Sequence, residues 1–257
     1  METHKSNVQR QRLNTMSSTC RTIVLLGALL LACPRLARPQ APMPGPAEDI
    51  ARLRSQVQKG EADAIAKAGD TYDPIFIGDL RALQKSLKTK HGDIPWLIRI
   101  SLAKLGDKDA LQESYCRVQS QYPLIKQNAI ENDLTKIGGW FSISVLERQF
   151  EEDDRWRKVP RRYWKSVAPD AVLVPPSNLA LMILPKLVKD PPLPSPPPAI
   201  AQMSPQLAQI STWKDWINAN SATLKLLKPE GRYVNTSPTG CSPYRTKEKE
   251  WLAAITD

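Results

Sequence analysis

Ser101 and Lys104 stand three residues apart, a spacing at which a lysine one helical turn on can take the proton of a serine and make it an acyl-transfer nucleophile. The pair lies inside an apolar helical stretch, and Lys104 belongs to a motif that recurs elsewhere, so structure accounts for both residues. Glu147, Glu151, Glu152, Asp153 and Asp154 would suit paired-carboxylate hydrolysis or a calcium site. Crowded at one helix end beside a basic run, they read instead as solvated, salt-bridging charge. Of the two histidines, His4 and His91, the second sits in the polar turn from Lys88 to Asp93, with no other histidine to complete a metal site. The chain carries no GxGxxG loop, phosphate-binding P-loop, CxxC or HExxH. Catalytic residues, metal ligands and cofactors therefore receive no assignment.

The remaining concentration of chemistry is a basic and aromatic run. Arg155, Arg157, Lys158, Arg161, Arg162 and Lys165 interleave with Trp156, Tyr163 and Trp164, a combination that neutralises anionic groups while stacking on flat or apolar ones. The plain reading is a solvated loop whose aromatics tuck onto the helices. Arg155, Trp156, Arg157, Arg161, Arg162 and Trp164 are the candidate binding residues, for an acidic protein or, failing that, anionic lipid headgroups or an acidic glycan.

Composition favours helices to position such a loop. Apolar residues make up 41% of the 257, enough for a sizeable core, while only 11 glycines argue against a turn-rich β-sandwich. Residues 23–33 form an apolar run preceded by Lys5, Arg10, Arg12 and Arg21, shorter than the roughly 18 residues of a spanning helix, so residues 1–42 read as a secretory signal and proline-rich leader. Met16 begins a more ordinary signal, and cleavage could fall near Ala37, near Ala41, or before Cys33. Leu30, Leu31, Ala32, Cys33 resembles a bacterial lipobox, which makes Cys33 the candidate lipidation position. Losing the leader removes six basic and one acidic side chain and lowers the net charge from +10 to about +5, which argues against nucleic acid as partner. Cys116 and Cys241 remain. An exported location permits one bridge between them, but the expectation is a small buried Cys116 and an unpaired Cys241 in the tail.

Three segments repeat an apolar residue, any residue, lysine, an apolar residue, glycine. They are Ile65 to Gly69 followed by Asp70, Leu102 to Gly106 followed by Asp107, and Leu134 to Gly138 followed by Gly139, with glycine spacings of 37 and 32 residues. Each copy falls at the same place in a pair of amphipathic helices. Residues 61–68 precede a helix opened by Pro74 with Phe76, Leu80, Leu83 and Leu87 aligned. Asp93 and Pro95 open a helix with Ile98, Leu102 and Leu105 on one face; Gly106 stops it, and Asp107 or Asp109 caps a helix carrying Leu111, Tyr115 and Val118. Pro123 opens the third pair, with Ile130, Leu134 and Ile137, then Ile143, Leu146 and Phe150, turned inward. A preceding segment with Ile50, Leu53 and Val57 caps the series.

These copies resemble the HEAT-repeat family, in the short form typified by phycobilisome-lyase HEAT repeats, over roughly residues 47–152. The resemblance implies an α-solenoid of antiparallel helix pairs and, as function, a protein-binding scaffold more often than an enzyme. The expected organisation is all-α: a leader at 1–42, the solenoid at 43–188 with a last helix at 177–188 bent or ended near Pro185, a proline-rich linker at 189–200, a helical cap at 201–231 and a loose tail at 232–257. Trp213 and Trp216 are expected to close the stack rather than form a sugar platform. Trp251, Leu252 and Ile255 dock a last short helix. The expected function is an exported, periplasmic or extracellular, non-enzymatic protein-interaction scaffold of unidentified partner, binding through its concave face and the basic loop. The alternatives are a membrane-tethered structural lipoprotein of the envelope and, third, a lyase- or hydrolase-type enzyme.

Overall fold

A computed structural model of the chain describes residues 46–88, 92–151, 174–197, 206–231 and 234–256. These belong to one unit running from Pro44 to Asp257. The described residues contain eleven helices packed against one another and no strand. Helix α1 spans Pro46–Gln58, α2 Ala62–Asp70, α3 Ile77–Ser86 after a 3-10 turn at Pro74–Phe76, α4 Asp93–Lys104 and α5 Lys108–Val118. Helix α6 begins at Pro123–Asn128, widens into a π segment at Ala129–Leu134 and closes at Thr135–Ile137. Helix α7 spans Gly139–Gln149, α8 Pro176–Leu187, α9 Leu207–Leu224, α10 Ser242–Arg245 and α11 Glu248–Thr256.

Most of the apolar positions expected from spacing form the core, although Ile50 is exposed and Leu87 only partly buried. Ile65 and Ala68, Leu102 and Leu105, and Leu134 and Ile137, the paired apolar positions of the three motif copies, are all buried. So are Phe76 and Leu80 of the first pair, Leu111, Tyr115 and Val118 of the second, and Ile143, Leu146 and Phe150 of the third. Burial of this kind supplies roughly 25 cal/mol per Å2 and drives neighbouring helices together. Helix α1 packs on α2 and α3, α2 and α3 each pack on α4, α4 packs on α5, and α5 on α6. Ion pairs join these same neighbours: Arg54 of α1 reaches Asp79 of α3 at 2.7 Å, and Lys104 of α4 pairs with Asp70 of α2. Arg81 of α3 holds Asp107, whose other role is to cap α5 by accepting from the Ala110 amide at 3.0 Å.

The motif glycines do two different jobs. Gly106 and Gly138 take positive φ, 81° and 66°, and stop α4 and α6 as expected. Gly69 stays helical, and α2 runs on to Asp70 rather than ending at residue 68. Its lack of a side chain serves packing, since a Cβ there would lie 2.8 Å from the Ser101 backbone of α4. Asp93 likewise differs from its expected role: α4 starts at Asp93 itself, with Gly92 in the cap position.

Helix α8 contains Pro185 within its last turn, and residues 188–197 beyond it form no helix. Trp213 is 1% exposed and meets the partly buried Trp216 edge to face at 5.6 Å. Helix α9 lies against α7 and α8.

Two expectations for the C-terminal region need correction over residues 234–256. Cys116 of α5 and Cys241 are bonded to each other, with Cα atoms 5.3 Å apart. The segment around Cys241 is tied down, not loose. The Gln112 amide brackets it, with Nε2 donating to the Asn235 carbonyl at 3.0 Å and Oε1 accepting from the Asn235 amide at 2.6 Å, and the Tyr115 hydroxyl donates to the Thr236 carbonyl at 3.3 Å. Its serine, threonine and proline content conceals this, because the anchoring groups lie more than a hundred residues earlier on α5.

Gly69→Ala should lower the unfolding free energy by about 1–3 kcal/mol, the usual cost of overpacking, whereas Gly78→Ala on α3, where a Cβ meets nothing within 4 Å, should leave it unchanged or raise it by up to about 1 kcal/mol. Urea unfolding of both variants checks the contrast. Peptide mapping without reductant should recover the Cys116 and Cys241 peptides linked, and a Cys116→Ser, Cys241→Ser double variant should lose about 3–5 kcal/mol, since the bridge closes a loop across a separation of 125 residues.

Candidate functional site

Asp133 is fully buried, and its carboxylate organises the most polar part of the interior. Oδ1 accepts from the Trp96 indole at 2.9 Å and from Arg99 Nη2 at 3.2 Å; Oδ2 accepts from Arg99 Nη1 at 2.7 Å and from Arg117 Nε at 3.0 Å. Arg99 also contacts Ser114 Oγ at 3.4 Å and lies 3.6 Å from Glu113. Arg117 donates to Asn128 Oδ1 at 3.4 Å, and its guanidinium stands 5.2 Å from the centroid of the Trp251 ring. One carboxylate thus joins α4, α5 and α6, and through Arg117 it reaches α11.

Burial works to raise the Asp133 carboxyl, but attraction to Arg99 and Arg117, with the hydrogen bonds from Arg99 and Trp96, outweighs it and holds the group below the usual carboxylate range. Burial also works against both guanidinium charges. For Arg99 the attraction of Asp133 prevails and its pKa is raised. For Arg117 burial, reinforced by repulsion from Arg99, prevails and its pKa is lowered.

Above this cluster lies a cleft of about 680 Å3 between the end of α3, the start of α4, and α5, α6 and α11. Arg99, Arg117 and Trp96 form part of its lining, together with Trp251 and Ile255 from α11. A second cavity of about 340 Å3 borders the disulfide and is lined by Arg148, Glu151, Tyr244, Arg245 and Glu248. Burial pushes the Glu248 carboxyl up, against hydrogen bonds from Ser120 and Gln121. No group of three or more histidine, cysteine, aspartate or glutamate side chains arranged to hold a metal ion occurs among the described residues.

The residues singled out from sequence fall elsewhere. Arg155, Trp156, Arg157, Arg161, Arg162 and Trp164, with Lys158, Tyr163 and Lys165, lie outside the described residues, as do Cys33, His91, Glu152, Asp153 and Asp154. Ser101 is 2% exposed and donates its hydroxyl proton to the Ile65 carbonyl at 2.8 Å, while Lys104 is engaged with Asp70, so the two serve the α2 to α4 contact. Glu151 pairs with Lys214 of α9 at 3.2 Å, and burial raises the Glu147 carboxyl. Sequence reasoning passed over Asp133, Arg99, Arg117 and Trp96. A signal was present: Asp133 falls on the same helical face as Ile130, Leu134 and Ile137, and a carboxylate within an apolar stripe needs a partner of opposite charge.

Compared with known proteins, the chain matches no family model, no curated protein and no solved structure. No helix among the described residues is long and apolar enough to cross a membrane. The Cys116–Cys241 disulfide is consistent with an oxidising, exported location.

Asp133→Asn should cost about 3–5 kcal/mol at neutral pH, because it leaves two buried guanidinium groups without their counter-charge. The folded carboxyl titrates below its unfolded value of about 3.9, so the stabilisation is present in full above roughly pH 4 and disappears as pH falls through the folded value. The stability gap between wild type and variant, measured by urea unfolding, should accordingly be constant from pH 7 to 5 and close below pH 4.

Proposed function

We propose that this protein is an exported, non-enzymatic interaction scaffold, built from stacked HEAT-like helix pairs, that holds a protein partner against its surface. The observation that carries the reading is the interlocking of the motif copies. Their apolar positions are buried in equivalent pairs, and the lysine of the second copy, Lys104, binds the aspartate that ends the first, Asp70. A repeat whose own residues join one copy to the next supports a solenoid, in which each pair of helices buries its stripe on its neighbours. Such arrays present extended surfaces rather than a single reactive centre.

Charge pairing supports the same reading. Ser101, Lys104 and Glu151, three of the groups with the right types for acyl transfer or acid–base work, each have a partner within the fold. The disulfide supports export. The basic and aromatic run at 155–165 supplies the surface we assign to the partner, which on charge grounds is acidic.

Capture from envelope extract by the mature chain, residues 43–257, tests the proposal, read by mass spectrometry at low and moderate salt. A defined protein should be retained, less so at moderate salt. An Arg161→Asp, Arg162→Asp variant with unchanged circular dichroism should retain at least tenfold less, about 1.4 kcal/mol or more. Retention equal to wild type would place the partner elsewhere, and retention of nothing at either salt would remove the scaffold reading.

A further inference from the structure

We infer that the Cys116–Cys241 bond is a redox latch: a dithiol opens it, the segment at 234–256 comes away from α5, and the Asp133 cluster loses its cover. The inference stands apart from the scaffold reading, because it concerns the chain's own C-terminal segment and needs no partner.

That segment buries little of its own. Over residues 234–256 the buried apolar side chains are Val234, Cys241 and Trp251, whereas α5, with 11 residues, buries Ala110, Leu111, Tyr115, Cys116 and Val118. Helices α10 and α11 have 4 and 9 residues, below the roughly 12–15 at which an isolated helix becomes even marginal in water. Several of its ties lie at the surface. Gln112 binds the exposed Asn235, Tyr115 binds the exposed Thr236, and the exposed Lys247 stands 4.0 Å from Glu113, a class of ion pair that adds little. Trp251 over Arg117 and the buried Glu248, held by Ser120 and Gln121, are the deeper anchors. A segment with few buried apolar contacts and exposed hydrogen bonds opens before the rest of a fold does. The disulfide opposes this by keeping residue 241 beside α5 whatever the noncovalent contacts do.

The bond also faces a space that a small thiol can enter. Cys116 and Cys241 both line the cavity of about 340 Å3, a size found among small-molecule sites. A thiolate of the reductant attacks Sγ of Cys241, which is 7% exposed against 2% for Cys116. The S–S bond breaks and Cys116 leaves as a thiolate. Gln112 Nε2 already donates to Cys116 Sγ at 3.3 Å, and stabilising the leaving sulfur in this way speeds the exchange. The second thiol of the reductant then displaces Cys241 from the mixed disulfide. The two protons of the dithiol end on the two cysteines, and the dithiol is oxidised to a disulfide.

What the latch governs lies under α11. Trp251, Ala254 and Ile255 form one wall of the cleft of about 680 Å3, and the Trp251 ring covers Arg117. With α11 displaced the cleft becomes an open face, and Arg117 keeps Asp133 and Asn128 but meets water. The oxidised chain is thus the closed form and the reduced chain the open one.

Hydrogen exchange read by mass spectrometry tests the latch on the mature chain, residues 43–257, in which Cys116 and Cys241 are the only cysteines. After reduction with dithiothreitol under native conditions, iodoacetamide should label both cysteines in a separate sample. Amides of residues 247–256 should then exchange about tenfold faster or more, while those of α2 and α4 change by less than about twofold. Oxidised glutathione should restore the slow exchange. Cys241→Ser, which opens the bond without a reagent, should match the reduced chain. The inference is overturned if dithiothreitol leaves the cysteines unlabelled, or if the reduced chain protects 247–256 as well as the oxidised chain does. It is equally overturned if reduction speeds exchange in α2 and α4 as much as in α11, which would make the bond a support of the whole fold.

Discussion

The carboxylate of Asp133 is the constraint around which the middle of this molecule is arranged. A lone ion moved into a protein interior carries a penalty of several kcal/mol even after relaxation, and four donors from three directions offset it here. Meeting that need fixes how α4 and α5 sit against α6, because Arg99 and Arg117 must reach the same two oxygens. The π segment at Ala129–Leu134 lies where this happens. An i to i+5 turn of this kind is often found where a helix departs from regularity to place a particular side chain.

The C-terminal segment depends on the same cluster. Arg117, held by Asp133, presents its face to Trp251 of α11, while Glu113, beside Arg99, stands 4.0 Å from Lys247. One turn away on α5, Gln112, Tyr115 and Cys116 grip residues 235–241. Helix α5 therefore acts as the spine of the molecule. One side packs into the stacked helices through Leu111 and Val118, and the other carries the covalent and hydrogen-bonded attachment of the tail.

Much of the helical framework was legible before any coordinates. The faces built on Leu80, Ile98, Leu102, Leu111, Ile130, Leu134 and Ile143 follow from three- and four-residue spacing, because burial of an apolar stripe is a local property of the pattern. The stops at Gly106 and Gly138 and the cap at Asp107 were legible for a related reason: each is decided by the conformation of one residue or its reach to the next turn. Gly69 shows where this ends. Its motif suggested a turn, yet its role comes from the backbone of Ser101, which no local pattern reveals.

The candidate site was far less readable, because its members lie apart in the chain. Arg99 and Asp133 are 34 residues apart, and Trp96 and Asp133 are 37. Cys116 and Cys241 are separated by 125 residues, too far for spacing to say that they would meet. The sequence by itself determined the helical class, most of the core-facing positions and several helix ends, since periodicity and capping act over a few residues. Only the tertiary structure decided which charges meet in the interior, that the tail is clasped to α5 and that a cleft opens above Asp133, because each depends on side chains brought together by the packing of distant helices.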